Sequence, residues 1–376
     1  MRVFPANAEI DESVHGFHVR TQKDPLTISP TASFREESMA TASEIAAVGV
    51  IGAGQMGSGI AQLAAAAGCA VLLLDADSAA LTRAVASISA SLRRLAAKGQ
   101  LSQVRRVDLP SYYPTQIGPG HSVKDAAEAF PSDKFWVRLV FQAACEDSIK
   151  RIRCVSTVQD LREADLVIEA IVENEHVKKK LFVELDKITK PSAILASNTS
   201  SISITRLASA TKRPSQVIGM HFFNPPPIMR LIEIIRGADT SDEVFAAVKS
   251  FSERLGKTVI CSQDYPGFIV NRILMPLINE AFWALYTGVA TKEDIDTGMK
   301  LGTNHPMGPL QLADFIGLDV CLSVLRVLHN GLGDNKYSPC PLLVQYVDAG
   351  RLGKKRGVGV YSYGQKSSNV KPKSSL

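Results

Sequence analysis

The chain reads as α/β: a mostly parallel sheet wrapped by helices, followed by an all-helical C-terminal domain. Three observations predict this. From Ile45 onward, short apolar runs bounded by turn residues alternate with stretches of helical spacing. After the Pro266–Gly267 turn only the helical spacing remains. A length of 376 residues suits two domains, each large enough to bury a core without metal or disulfide support.

The elements follow in order. Residues 1–44 read as an N-terminal extension expected to be disordered. They precede the first apolar run, and Met39 is a candidate true start. Ala46–Ile51 is the first strand, Met56–Ala67 a helix, Ala70–Leu74 the second strand, and residues 78–98 carry helical spacing. Asp165–Ile171, Ala193–Ala196, Val217–Met220 and Leu231–Ile235 are further short apolar runs and predicted strands. Together they define a sheet domain over 45–263. A helical domain over 264–362 begins with Asn271–Tyr286, whose Leu274, Leu277, Ile278, Ala281 and Leu285 share one face. Thr291 and Asp294 form a capping box, and Pro306–Pro309 opens another helix. Residues 363–376 form a Ser/Lys-rich tail expected to be disordered.

Composition narrows the function classes. Apolar residues make up 45% and charged residues 21%, an ordinary globular balance. The net charge of +5 is modest and its Lys and Arg are scattered, so no basic stripe points to nucleic acid. Six cysteines form no C-x-x-C, so no metal site is expected, and they read as reduced thiols. Ile45–Leu74 lacks charge, but the glycines at 49, 52, 54, 57, 59 and 68 fit strand–turn–helix–strand better than a membrane span.

The strongest local signal is Gly52-Ala-Gly54-Gln55-Met56-Gly57, which follows a strand and opens a helix. Gly52 permits the tight turn, Gly54 lets a pyrophosphate approach the backbone, and Gly57 lets helix and strand pack closely. A phosphate there would meet free N–H groups and the positive end of the helix dipole. Asp75 ends the next strand, placed to accept ribose hydroxyls and to repel a 2′-phosphate. Strand, glycines, helix and acid in this register predict a Rossmann-type NAD site, with NAD favoured over NADP.

A second signal lies further on. His221 follows the strand Val217–Met220, at the carboxyl end where ligands gather in such sheets. Glu233 interrupts the apolar run Leu231–Ile235, and a buried carboxylate needs a partner. A pair would fix the imidazole tautomer and let His221 take a hydroxyl proton while hydride leaves the same carbon. The competing reading is a satisfied core histidine beside an outward-facing glutamate. Ser197–Ser201, Asn224 and Asn271 are neutral groups suited to a carbonyl or hydroxyl, or else to turn and cap chemistry.

These residues together resemble the L-3-hydroxyacyl-CoA dehydrogenase family, closest to its short 3-hydroxybutyryl-CoA dehydrogenases. The matching stretches are VGVIGAGQMGSGIAQ, ADLVIEAIVENEHVKKKLF, ASNTSSISIT, GMHFFNPPPIMRLIEII, PGFIVNR, GTNHPMGPLQLAD and GKKRGVGVY. The resemblance implies His221 as general base with Glu233 as its partner, and Asn271 and Ser200 beside the reacting oxygen. It implies that Gly52, Gly54, Gln55, Met56, Gly57, Asp75, Glu173, Lys178, Ser200, Asn224 and Lys355 line the cofactor. Ser91, Lys98, Ser200 and Asn224 would meet the CoA substrate, and Lys98 suits its phosphates. It further implies a homodimer formed through the helical domain. The expected activity is reversible, NAD-dependent oxidation of a 3-hydroxyacyl-CoA in fatty-acid β-oxidation. Alternatives are a free hydroxy-acid dehydrogenase of the gulonate type and a noncatalytic NAD-binding protein. Ser91 and Lys98 favour the CoA ester over the first, and the intact His221, Glu233, Ser200 and Asn271 oppose the second.

One departure is a segment at 104–142 with four prolines and six aromatics but no clear period. A structureless loop this long inside a compact domain is uncommon, and its ends could be encoded by splice-junction-like sequences, so the inserted segment is read as a retained or mistranslated intron, with a genuine lineage-specific loop as the alternative. Ser374-Ser375-Leu376 resembles a peroxisomal C-terminal tripeptide with Ser where a basic residue is usual, which makes the peroxisome the expected address and the cytoplasm the alternative.

Overall fold

A computed structural model describes residues 45–98 and 134–364. The extension at 1–44 and most of the tail lie outside the described residues. Among the described residues eight strands form one sheet in the order β3-β2-β1-β4-β5-β6-β7-β8. They are β1 (Ala47–Ile51), β2 (Ala70–Leu74), β3 (Ile152–Val155), β4 (Leu166–Glu169), β5 (Ile194–Ser197), β6 (Val217–Phe222), β7 (Leu231–Arg236) and β8 (Thr258–Gln263). All neighbours pair parallel except β6 and β7, which run antiparallel. The central strands are buried throughout, as continuous apolar runs such as LVIE and VIGMHF require when helices cover both faces. β3 and β8 carry exposed polar residues among their apolar ones, which explains why the sequence reading passed over both.

Helix α1 (Gln55–Ala66) is buried on nearly every side, and its alanines and glycines let it sit between the sheet and its neighbours. Helix α2 (Ser78–Ala97) is amphipathic, burying Ala84, Ile88, Leu92 and Ala96 at helical spacing. Helix α3 (Lys134–Lys150) packs on both. Its course corrects the expected loop at 104–142, because 134–142 is helical and Phe141 is buried in the sheet core. Phe141, Ala144, Cys145 and Ser148 form one buried stripe. A junction drawn at Gln142 cuts that stripe and hides its period. The rest of the segment lies outside the described residues.

Helices α4 (Glu175–Ile188), α5 (Ile204–Ala208) and α6 (Asp242–Arg254) complete the sheet's cover. The chain then turns through Gly267 and Phe268, both with positive φ (76° and 50°), into α7 (Val270–Tyr286). Helices α8 (Lys292–Gly302), α9 (Pro309–Ile316), α10 (Leu318–Leu332) and α11 (Pro341–Asp348) pack around α7 with their own core of Ile278, Phe282, Leu310, Leu325 and Leu343. Asp314 binds the final segment here, accepting from the N–H groups of Val360 and Tyr361 and from the Tyr363 hydroxyl. Among the described residues no helix is long and apolar enough to cross a membrane.

Candidate active site at the carboxyl edge of the sheet

The glycine turn is built as its residues demand. Gly52 has φ 102°, and a Cβ there would meet the Ala170 carbonyl oxygen at 2.5 Å. A Cβ on Gly57 would lie 1.7 Å from the Gly52 oxygen, so only glycine lets α1 start this close to the turn. Above Gly54 the space is open. Helices α2, α4, α5, α6 and α8 are each capped by a side chain, from Asp77, Asn174, Ser203, Ser241 and Thr291. No side chain caps α1, α7, α9, α10 or α11. At α1 the open space above Gly54 leaves the first N–H groups, at Gln55 and Met56, a position suited to a pyrophosphate. Asp75 follows β2 directly and steadies the turn, accepting from Ala53 N–H at 2.6 Å and Asp77 N–H at 2.9 Å. These features fit a dinucleotide.

The histidine and glutamate meet across the antiparallel pair. His221 of β6 and Glu233 of β7 are direct register partners, so their side chains leave the same face. His221 Nδ1 lies 2.6 Å from Glu233 Oε2, with His221 only 5% exposed and Glu233 fully buried. Glu233 Oε1 accepts from the backbone N–H groups of Ile269 and Val270 at 3.1 and 2.9 Å. The positive φ of Phe268 turns those groups inward. A carboxylate only accepts, so the Nδ1 that meets Glu233 is the hydrogen-bearing nitrogen, which in the neutral ring makes Nε2 the acceptor. The rings of Phe223 and Phe268 flank the imidazole, with centroids 4.7 and 5.7 Å away.

The turn after β5 is held from below. Glu173 Oε1 accepts from the Thr199 hydroxyl at 2.6 Å, the Ser200 N–H at 2.9 Å and the Ser201 hydroxyl at 3.2 Å. Burial would raise the Glu173 carboxyl, but the Lys178 ammonium and these donors outweigh it and hold it below its ordinary value. Asn198 accepts from Phe222 N–H at 2.9 Å, tying this turn to the end of β6. Ser200 thus sits on a turn bonded to the strand of His221, while Asn271 lies in the first turn of α7, beside the N–H groups that hold Glu233.

Asn224 is exposed at the head of the Pro225–Met229 loop. Gly59 lets this loop approach α1, because a Cβ there would lie 2.9 Å from Pro226. The buried Lys257 holds the loop, donating to the carbonyls of Pro226 and Met229 at 2.5 and 2.7 Å. Burial pushes its ammonium down to about 8. Between α1, α2 and this loop lies a cleft of about 500 Å³, lined by Gly54, Gln55, Ser58, Arg83, Ser91, Arg94 and Ile228.

Two residues expected at the cofactor are paired within the protein. Lys178 is fully buried, its ammonium 2.6 Å from Glu169 and 3.2 Å from Glu173. Lys355 pairs at 2.6 Å with Asp319 of α10 in the helical domain. Lys98 caps α2 beyond the residues that line the cleft. The sequence reading missed Glu169, Lys257, Arg83 and Arg94. Glu169 carried a readable signal, since it breaks the apolar run DLVIEAI just as Glu233 breaks LIEII.

Comparison with known proteins agrees with this geometry. A family model described as "3-hydroxyacyl-CoA dehydrogenase, NAD binding domain" matches residues 47–116 and 120–265. The C-terminal domain model of the same family matches 267–363. The chain is 49% identical over 322 residues to the 3-hydroxybutyryl-CoA dehydrogenase of Bradyrhizobium diazoefficiens, covering 86% of this chain and 97% of that protein. It is 39% identical over 317 residues to human mitochondrial hydroxyacyl-coenzyme A dehydrogenase, covering 84% and 90%. The crystal structure of (S)-3-hydroxybutyryl-CoA dehydrogenase from Ralstonia eutropha superposes with a TM-score of 0.73 at 43% identity, covering 86% and 100%.

Proposed function

The chain belongs to the 3-hydroxyacyl-CoA dehydrogenase family, and from that premise we propose how its residues divide the work. The reaction is reversible, NAD-dependent oxidation of a (S)-3-hydroxyacyl-CoA, with 3-hydroxybutyryl-CoA as the substrate that relatives at 43–49% identity indicate. Bound NAD supplies the hydride acceptor. His221 Nε2 takes the proton of the substrate hydroxyl, and Glu233 holds the ring and stabilises the imidazolium that forms. Ser200 and Asn271 orient the reacting oxygen. The α1 N-terminus, Asp75, Glu173 and Asn224 bind the dinucleotide, with Lys178 acting through Glu173. The cleft beside Ser91 receives the CoA ester, and Arg83 and Arg94 on its wall suit an anionic chain.

The observation that carries this reading is the 2.6 Å contact between His221 Nδ1 and the buried Glu233. The test is NADH-linked reduction of acetoacetyl-CoA by the purified protein and by His221→Gln. The variant is expected to keep NAD affinity and to lose turnover by roughly 10²–10⁴-fold. Near-native turnover would remove His221 from the mechanism.

The assembly is a homodimer formed through the helical domain. Exposed apolar side chains there, including Ile273, Val289, Leu301 and Phe315, support this reading. Light scattering on the eluting protein tests it. The peroxisomal address rests on Ser374-Ser375-Leu376, outside the described residues. A fluorescent protein carrying residues 367–376 tests it, and diffuse fluorescence would leave the cytoplasm.

A further inference from the structure

Beneath the Ser197–Ser201 turn lies a buried charge cluster that turnover itself does not call for. Glu169 ends β4 directly beside Ser197 of β5 and is fully buried. Its Oε1 accepts from the Lys178 ammonium at 2.6 Å and the Ile171 N–H at 2.7 Å, and its Oε2 from the Ser197 hydroxyl at 2.6 Å. Lys178 reaches on to Glu173, whose other oxygen holds the turn. Among the described residues Lys178 is the one cation paired with either carboxylate. Two carboxylates and one ammonium leave one net negative charge, with Glu169 and Lys178 fully buried and Glu173 reaching the surface, and the buried part of it acts at longer range than a solvated charge.

Its position in the sheet gives this charge a target. β4 and β5 lie between β1, which carries the glycine turn, and β6, which carries His221. A dinucleotide with one ribose at Asp75 and its pyrophosphate on α1 must extend over β4 and β5 to bring its reactive ring to the carbon beside His221. That ring is positively charged when oxidised and neutral when reduced. A fixed negative charge below it favours the oxidised form alone, while the rest of the cofactor is bound alike in both states.

Resting on the dehydrogenase reading above, we propose that Glu169, through the net charge it leaves on the Glu169–Lys178–Glu173 cluster, sets the relative affinity of the site for NAD+ and NADH. Glu169 is a positioning residue: being fully buried, it acts through Lys178, Glu173 and its charge.

The test is direct binding, with NAD+ titrated by calorimetry and NADH by fluorescence. Glu169→Gln brings the cluster to neutrality, and the ratio Kd(NAD+)/Kd(NADH) is expected to rise on the order of tenfold, as for a unit charge acting through partly screened protein. Adding Lys178→Met to Glu169→Gln leaves Glu173 as the single charge, and the ratio is expected to return toward the native value. Glu173→Gln, at an exposed position, should also raise the ratio; any lost direct contact weakens both cofactor forms and cancels. An unchanged ratio in the single variants overturns the proposal, as does a ratio that stays raised in the double variant. If the Glu169 variants lose their cooperative melt, Glu173→Gln decides alone. A native protein that binds neither cofactor would instead refute the dehydrogenase reading, before any variant is made.

Discussion

Replacing Glu233 with Gln probes the site with a single atom exchange. The native carboxylate accepts three hydrogen bonds, from His221 Nδ1 and from the N–H groups of Ile269 and Val270. A glutamine keeps the shape but has one oxygen and one NH₂. If its oxygen serves the two backbone donors, its NH₂ faces Nδ1. The ring must then accept at Nδ1 and place hydrogen on Nε2, the atom that should take the substrate proton. If the amide flips to restore the tautomer, its NH₂ faces two buried N–H donors. Leaving those unpaired costs about 1–3 kcal/mol each. At the lower end, about 2–4 kcal/mol in total, the competent tautomer falls to roughly 1 part in 30 to 1 part in 1,000. Loss of the charge that stabilises the imidazolium subtracts further, so kcat should drop about 10²–10⁴-fold, in the range found when a triad aspartate is made an amide. The assay is steady-state acetoacetyl-CoA reduction followed by NADH absorbance, with NADH affinity and the thermal midpoint measured alongside. A kcat within about tenfold of native, in a variant that melts normally, would refute the tautomer argument.

Other perturbations report on separate parts of the molecule. Gly57→Ala forces a methyl to 1.7 Å from the Gly52 carbonyl oxygen, so NAD affinity and thermal stability should both fall, and native values of both would contradict the packing described. Asp75→Ala should weaken NAD and narrow its advantage over NADP, since ribose acceptor, repulsion and the bond to Ala53 N–H vanish together; an unmodified protein using both cofactors equally would exclude that role. Lys257 has a folded pKa near 8 against 10.5 for the free side chain, so the unfolded chain holds its proton more tightly. Stability relative to Lys257→Met should therefore be level below about pH 8 and rise between about 8 and 10.5, by at most about 1.4 kcal/mol per pH unit. Denaturant melts across that range check the sign, and a flat difference would show that the buried amine keeps its charge.

Much of the site was legible in the chain itself. The glycine turn could be read because its requirements are local. A positive φ at Gly52, a missing Cβ at Gly57 and a helix opening at Gln55 are properties of neighbouring residues. The central strands could be read for a similar reason, since burial on both faces leaves continuous apolar runs. Glu233 stood out as a charge inside such a run, and His221 as the residue at a strand's end. The long-range pairings were settled only by the tertiary structure. The antiparallel turn of β7 against β6 sets Glu233 opposite His221, and the backbone of α7 closes round the same carboxylate. Glu169 broke its strand in the same manner, yet its partner Lys178 is identified only once α4 packs against β4. Lys355 found Asp319 because α10 brings that carboxylate to it. Backbone conformation and burial periodicity depend on residues a few positions apart, so the sequence states them directly. The partner of a buried charge depends on which elements become neighbours, and that is decided when the sheet order and the helix packing form.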